Sequence, residues 1–212
     1  VHERGIEIRY DALNERERQE LMLQYGSYFV FGGEESFGYL TSDRVRDKDA
    51  HAAAILFCEL VATLKEEGRS VIEYLDELYL QHNYHKEDQL SLVYSGAAGV
   101  SKIAQILKSY REHPPKEMAG RKVIDFVDFG RDEVRDADGC TIPKEDFFFI
   151  QLDNGYSYAV RGSGTEPKIK FYTFGCEEVP KPGALNRVKE GVRGEMAKLK
   201  EALESDGRER AD

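Results

Sequence analysis

The chain has no run of about 18 apolar residues, few cysteines and no excess of basic charge, and each shortage excludes a class of protein. Without a long apolar run, no membrane-spanning helix is expected. No signal peptide precedes the first charged residues, Glu3 and Arg4. The three cysteines, Cys58, Cys140 and Cys176, lie far apart and form no Cys-x-x-Cys pair. That pattern suits a reduced, cytoplasmic protein better than a disulfide framework or a zinc site. A net charge of −10 argues against a nucleic-acid binder, and with no membrane span it leaves small molecules and proteins as the expected partners. Any anionic ligand must then be captured by a local basic pocket, because the overall field repels it. The chain also lacks an initiator Met and starts in mid-pattern, so a piece of a longer chain is expected.

What is present is enough for real cores: 41% of the 212 residues are hydrophobic. This length is long for one domain and short for two. Leu13 to Tyr25 is rich in Glu, Arg and Gln and reads as a solvated helical or irregular segment. Tyr28 to Phe31 reads as a short aromatic strand running into the polar, glycine-rich stretch Gly32 to Tyr39. A strand ending in such a loop is a normal ligand position in an open α/β sheet. Glu34 and Ser36, two apart, would project to one side of an extended loop. A carboxylate and a hydroxyl together offer the acceptor and donor that sugar hydroxyls need, although the two glutamates could equally cap a following helix.

Asp49 to Glu67 reads as a helix, apolar all round over Ala52 to Cys58 and therefore expected to be buried on most sides. Gly68 is its stop. Ser70 caps a second helix reaching about His82. His82 and His85 are three apart but have no accompanying ligand cluster, so no metal is assigned to them. A strand over 85–95, a turn marked by Gly96 and Gly99, and a helix from Val100 to Tyr110 follow. Val123 to Phe129 is a further strand. Asp132 to Gly139 reads as a solvated acidic loop that lacks the remaining ligands of a calcium site. Phe147 to Leu152 and Tyr156 to Arg161 flank Asp153-Asn154-Gly155, and Asn-Gly is the favoured type I′ hairpin pair. A strand from Lys168 to Phe174 precedes a helix with the stripe Leu185, Val188, Val192, Met196, Leu199 and Leu203.

Between those last two strands lies Arg161-Gly162-Ser163-Gly164-Thr165-Glu166-Pro167-Lys168. Glycines let the backbone turn tightly and approach a ligand. Ser163 and Thr165 add hydroxyls, and intervening N–H groups can converge on an anion. Arg161 and Lys168 bracket the loop with positive charge, and Arg can grip a phosphate with two parallel hydrogen bonds. These features suit one phosphate dianion, but taken alone they also fit an ordinary hairpin turn with charged flanks.

The loop resembles the phosphate-binding loop of the α-D-phosphohexomutases, the phosphoglucomutases and phosphomannomutases, which reads Arg-x-Ser-Gly-Thr-Glu-Pro-Lys in many members. Gly33-Glu34-Glu35-Ser36-Phe37-Gly38 resembles the family's sugar-binding loop, in the form found in its phosphoglucomutase-like branch. Arg46-Asp47-Lys48-Asp49 is similar to the family's Arg-(Asp/Glu)-Lys-Asp-Gly segment, with Ala50 in place of the Gly.

The resemblance implies that Glu34 and Ser36 contact sugar hydroxyls and that Lys48 lies near the reacting phosphate. It also implies that Arg161, Ser163, Gly164, Thr165 and Lys168 hold the other phosphate of a phosphosugar substrate. Family members transfer phosphate through a phosphoserine in an N-terminal domain and bind Mg²⁺ with an Asp-x-Asp-x-Asp-Arg loop. Neither motif occurs here, so the resemblance places both outside this chain. A hexose 1-phosphate would take a phosphoryl group from the serine, reorient as the bisphosphate and return the other phosphate, leaving the hexose 6-phosphate.

The expected fold is therefore α/β plus α+β. Residues 1–84 would be the end of a doubly wound α/β domain, the third mutase domain. Residues 85–204 would be a small antiparallel-sheet domain with helices on one face, and 205–212 a disordered tail. The expected function is the substrate-recognition part of a mutase that prefers glucose, the alternative being a non-catalytic phosphosugar-binding module.

Overall fold

The first three helices begin where short polar side chains meet orphan backbone amides. In the computed structural model, residues 9, 12–25, 29–33, 38–42, 47–136, 139–163 and 166–212 are described. The chain divides into two compact units, Val1–Tyr74 and Leu75–Asp212.

In the first unit, α1 (Glu15–Tyr25) has no buried residue. Its start is a reciprocal cap: Glu17 N–H donates to Asn14 Oδ1 and Asn14 N–H to Glu17 Oε2. The expected strand ahead of the sugar-type loop is shorter and later than the aromatic pattern suggests. Phe29 to Phe31 make no strand pairing, and the ladder joins only β1 (Gly32–Gly33) to β2 (Tyr39–Leu40). Asp49 caps α2 (Ala50–Glu66) by accepting from the His51 and Ala52 amides. Gly68, at φ +72°, ends it.

Contrary to the sequence expectation, α2 is not buried on most sides. Leu64 is its one buried residue, and Ile55, Leu56 and Phe57 are 62%, 44% and 55% exposed. An apolar circumference reports what a helix can bury, and the described residues do not cover this one. No helix among the described residues is long and apolar enough to cross a membrane.

Helix α3 (Val71–His82) starts with a second reciprocal cap, between Ser70 and Glu73, and ends at Asn83 in the left-handed conformation, φ +73°. The division between units falls inside this helix, ahead of the position near Tyr84 that the sequence suggests.

The second unit is an antiparallel sheet of β3 (Tyr84–Val93), β4 (Glu117–Met118), β5 (Arg121–Asp128), β6 (Phe147–Leu152), β7 (Ser157–Gly162) and β8 (Lys168–Glu177). The spatial order is β3-β8-β7-β6-β5-β4. Alternation along the strands sends Phe148, Ile150, Tyr158, Val160, Ile169 and Phe171 to one face, where all are fully buried. Helices α4 (Gly96–Glu112) and α5 (Leu185–Glu209) cover that face. Ile106 and Tyr110 come from α4; Val192, Met196, Leu199 and Leu203 come from α5. Each such side chain contributes about 1.5–3 kcal/mol on burial. This is the α+β arrangement of helices on one face. The opposite face carries half-buried Phe149 and Phe174, whose rings lie 6.3 Å apart.

Two local expectations change. Gly96 and Gly99 do not form a separate turn but lie in the first turn of α4. A Cβ on Gly99 would sit 2.2 Å from the Tyr94 carbonyl oxygen, so only glycine lets the helix start this close to β3. The loop after β6 spans the three expected residues, Asp153 to Gly155, closed by Leu152 N–H donating to the Tyr156 carbonyl, but its turn type differs. Gly155 is left-handed at φ +81° while Asn154 is not, so the pair is not a type I′ turn. Two positive φ values in succession occur instead at Ala119 and Gly120, between β4 and β5.

The expected disordered tail is helical. Residues 205–209 continue α5, and Gly207 and Ala211 are buried. Polarity misled the reading here, because the polar groups of the tail find partners inside the unit. Tyr110 Oη donates to Asp206, and Arg210 reaches Asp206, Ser109 and the His113 carbonyl.

Candidate functional site

The turn between β7 and β8 grows out of a regular ladder. Gly162 pairs with Ile169, and Arg161 pairs with Lys170. Paired residues on neighbouring antiparallel strands point to the same face, so Arg161 and Lys170 share the face opposite the two helices. Lys168, two residues before Lys170, also points there. Beyond the last pair, Ser163 N–H donates to the Lys168 carbonyl at 2.9 Å and Lys168 N–H to the Glu166 carbonyl at 2.8 Å. A third bond comes from outside the hairpin: Tyr94 N–H donates to the Pro167 carbonyl at 2.9 Å. That bond anchors the exit of the turn to the corner where β3 meets α4. Gly162 lies against Ile103 and Leu107 of α4, a methyl-sized gap away from contact.

The cations around this turn have internal counter-charges. Lys168 is ion-paired with Glu166, and Arg161 Nη2 lies 4.0 Å from Glu145 Oε2. The hydrogen bond and charge of Lys168, reinforced by Lys170, hold the Glu166 carboxyl below its usual range. Arg161 and Glu166 are both more than half exposed, so both pairs can be opened by a competing anion at small cost.

Elsewhere in the second unit, a buried ion pair ties the end of α4 to the end of β5. Asp128, 5% exposed, accepts from Arg111 Nε at 2.8 Å and from the Gly130 amide at 2.9 Å. Arg111 also reaches Asp146, just before β6. Burial alone would raise the Asp128 pKa, but the bonds from Arg111 and Gly130 outweigh it and the pKa falls below its usual value. Those same contacts hold the Arg111 guanidinium firmly protonated.

Of the residues singled out from sequence, Arg161, Ser163 and Lys168 are brought together at this one turn, in the second unit. Gly164 and Thr165 lie outside the described residues, as do Glu34 and Ser36. In the first unit, Gly33 of β1 pairs with Tyr39 of β2. Lys48 immediately precedes the cap residue Asp49, whose N–H donates to the Tyr39 carbonyl at 3.0 Å. Lys48 is thereby held next to β2. Its ammonium is 3.8 Å from Asp47 Oδ1, and its side chain is 54% exposed.

Along α2 runs an open apolar groove of about 750 Å³, walled by Phe31, Tyr39, Leu56, Phe57 and Leu60. Glu59 and Thr63 are its polar lining residues, and no cation among the described residues lines it to pair with a phosphate. Sequence reasoning did not single out Glu145, Lys170 or the Tyr94 amide. The first two are set by strand register and the third by a contact across more than 70 positions. Only the spacing of Lys168 and Lys170 within one strand carried a signal.

His85 Nε2 lies 2.9 Å from the His82 carbonyl oxygen. Among the described residues, no group of three or more His, Cys, Asp or Glu could hold a metal ion. The three thiols are free.

Comparison with known proteins adds an independent line. Residues 18–82 match the family model "Phosphoglucomutase/phosphomannomutase, alpha/beta/alpha domain III". A probable phosphomannomutase of Haemophilus influenzae is 38% identical over 170 residues, covering 79% of this chain and 33% of that protein. A phosphoglucomutase of Staphylococcus epidermidis is 38% identical over 152 residues, covering 68% of this chain and 27% of that protein. The open form of the Paramecium exocytosis-sensitive phosphoprotein pp63/parafusin, a phosphoglucomutase, aligns with a TM-score of 0.48 at 21% identity, over 79% of this chain and 30% of that one. The chain thus spans about a third or less of the length of the curated relatives it matches. A matching domain and relatives of this identity converge: the chain belongs to the phosphoglucomutase/phosphomannomutase family, the α-D-phosphohexomutases, and represents its C-terminal part.

Proposed function

We propose that this chain is the substrate-recognition part of a phosphohexomutase, an intramolecular phosphotransferase that interconverts hexose 1-phosphate and hexose 6-phosphate. The observation that carries the reading is the β7–β8 turn. Arg161, Ser163 and Lys168 surround it, and a backbone bond from Tyr94 braces it from outside. Arg161 takes two phosphate oxygens, Lys168 a third, and Ser163, Gly164 and Thr165 supply hydroxyl and amide donors. Glu34 and Ser36 bind ring hydroxyls, and Lys48 lies beside the phosphate that reacts. Phosphoryl transfer depends mainly on such positioning and on charge stabilisation.

The described residues do not fit a Mg²⁺ site, since no cluster of three or more suitable ligands occurs among them. In this reading the ion and the phosphoserine belong to other domains of the parent protein, as does turnover. The Glu34-Glu35-Ser36-Phe37-Gly38 sequence favours glucose over mannose. The free thiols suit a reducing, cytoplasmic setting.

The test is calorimetric titration of the 212-residue chain with inorganic phosphate, glucose 1-phosphate and mannose 1-phosphate. Arg161→Ala should weaken all three by about 10- to 100-fold, the scale of a charge-assisted hydrogen bond. Glu34→Gln should weaken only the sugar phosphates. No phosphate binding by the wild-type chain, or an unaffected Arg161→Ala variant, would reduce the loop to a turn.

A further inference from the structure

We propose that the cavity at the start of β3 is a second anion site, built for a small phosphate monoester and separate from the β7–β8 turn; the inference does not rest on the function proposed above. The cavity holds about 400 Å³ and is lined by Tyr79 of α3, Tyr84, His85, Lys86 and Glu87 of β3, and Arg193 of α5. All of these lie in the second unit. Along β3, Val93 pairs with Lys168 beside the turn, whereas Tyr84 pairs with Glu177 at the other end. About 30 Å of strand separates the two places.

Strand alternation sorts the charges. Lys86 pairs with Gly175, which lies against Val192 and Met196 of α5, so Lys86 stands on the helix-covered face. Glu87 pairs with Phe174 on the opposite face. Because β3 is the edge of the sheet, the cavity wraps round that edge. Its cationic side holds Lys86 and Arg193, and the Glu87 carboxylate belongs to the other side.

The neighbouring cations are already spent, Lys189 on Asp76 and Lys200 on Asp88. Arg193 and Lys86 have no carboxylate at ion-pair distance among the described residues. Lys86 acts on Asp88 through charge alone, and its ammonium gives one hydrogen bond, at 3.1 Å, to the Glu87 carbonyl. Two lysine donors and the guanidinium fork remain for a ligand. An Arg takes two phosphate oxygens in parallel, and a lysine adds charge at a third.

The aromatic wall is fixed in place. The Tyr79 and Tyr84 rings meet edge to face with centroids 4.8 Å apart, and Tyr84 is 4% exposed. The Lys189 ammonium lies 5.2 Å from the Tyr79 ring centroid. Such a wall packs against the ring of an ester while the two cations take its phosphate. The bound ligand would fasten the end of α3 and the start of β3 to α5.

The experiment titrates phenyl phosphate and inorganic phosphate into the 212-residue chain at low ionic strength, and repeats this in Arg161→Ala so that the turn does not contribute. Onto Arg161→Ala are added Arg193→Met, Tyr79→Leu and, as a control for net charge, Arg187→Met on α5. Thermal melts confirm folding. Arg161→Ala should still bind both ligands. Arg193→Met should weaken both by about ten-fold or more, and Arg187→Met neither. Tyr79→Leu should weaken phenyl phosphate and spare inorganic phosphate. Saturating phenyl phosphate should raise the melting temperature of Arg161→Ala but not that of the Arg161→Ala, Arg193→Met chain. Unchanged affinity in Arg193→Met overturns the site, as do equal losses in Arg193→Met and Arg187→Met. Unchanged phenyl phosphate affinity in Tyr79→Leu overturns the ring-bearing ester as its ligand. Wild-type binding that vanishes in Arg161→Ala overturns this site and leaves the proposed function standing. Binding that Arg161→Ala leaves untouched and Arg193→Met removes does the reverse. Failure of the wild-type chain to bind either ligand overturns both.

Discussion

Tyr110 donates its phenolic hydrogen to the Asp206 carboxylate across 2.5 Å, joining the last turns of α4 to the last turns of α5 over 96 positions of sequence. Arg210 closes the arrangement by bonding both Asp206 oxygens and lying 4.2 Å over the Tyr110 ring. Burial and the neighbouring carboxylate push the Tyr110 phenol well above its ordinary pKa, so it stays a donor.

Removing residues 205–212 should therefore destabilise the second unit strongly. The deletion exposes part of the core around Leu203 and strips Tyr110 of its acceptor. Tyr110→Phe alone should cost about 1–3 kcal/mol, because it leaves a partly buried carboxylate short of a donor. Thermal melting followed by circular dichroism measures both. A truncated chain that melts with the full one would show that the tail is dispensable.

Two glycines of α5 should respond with opposite signs to replacement by alanine. A Cβ at Gly194 meets nothing within 4 Å, whereas one at Gly207 would lie 2.8 Å from Leu92 Cδ1 and 2.9 Å from Phe171 Cζ. Gly194→Ala should stabilise by about 0.5–1 kcal/mol through helix propensity. Gly207→Ala should destabilise by about 1–2 kcal/mol once overpacking is set against the same gain. Urea titrations of the two variants decide this, and equal shifts would mean that the end of α5 is not packed as described.

Glu166 is ion-paired with Lys168, so under the proposed function it competes with phosphate for that ammonium. Glu166→Gln should tighten inorganic phosphate binding by about two- to five-fold, the size of one exposed charge pair at about 4 Å. The effect should fade in high salt. Weaker binding in Glu166→Gln would instead give the glutamate a direct part in holding the turn.

The Arg111–Asp128 pair sets an acid limit on stability. Because the folded-state pKa of Asp128 is depressed, its contribution is full above the unfolded carboxylate pKa, about 4. It is lost as pH falls through the lower folded value. Asp128→Asn should cost about 2–4 kcal/mol at pH 7, a little under a fully buried pair because Arg111 keeps 22% of its side-chain exposure. The gap between wild type and variant should close below about pH 4. Denaturant midpoints across that range provide the measurement, and a gap independent of pH would assign the cost to packing.

Much of the local structure was legible from neighbouring residues. The Asp49 and Ser70 caps depend on groups at most three positions away, and β8 alternates between inward Ile169 and Phe171 and outward Lys168 and Lys170. The apolar stripe of α5 is read the same way, and the candidate phosphate turn is a contiguous stretch. Other features depend on partners far along the chain. The order of the tail rests on Tyr110 and Asp206, and the closeness of Arg161 to Lys170 on how β7 registers with β8. Asn154-Gly155 shows a subtler limit: the three-residue loop between Leu152 and Tyr156 was legible, but its turn type was not, since only Gly155 of the pair is left-handed.

By itself, then, the sequence determined the caps, the strand and helix periodicities and the chemical character of the turn, because covalent proximity already brings those groups within reach. Only the tertiary structure decided which cations stand beside Arg161, which carboxylates neutralise them and that the polar C-terminus folds onto α4. Those outcomes depend on burial and on hydrogen bonds between groups that meet only once the sheet has assembled.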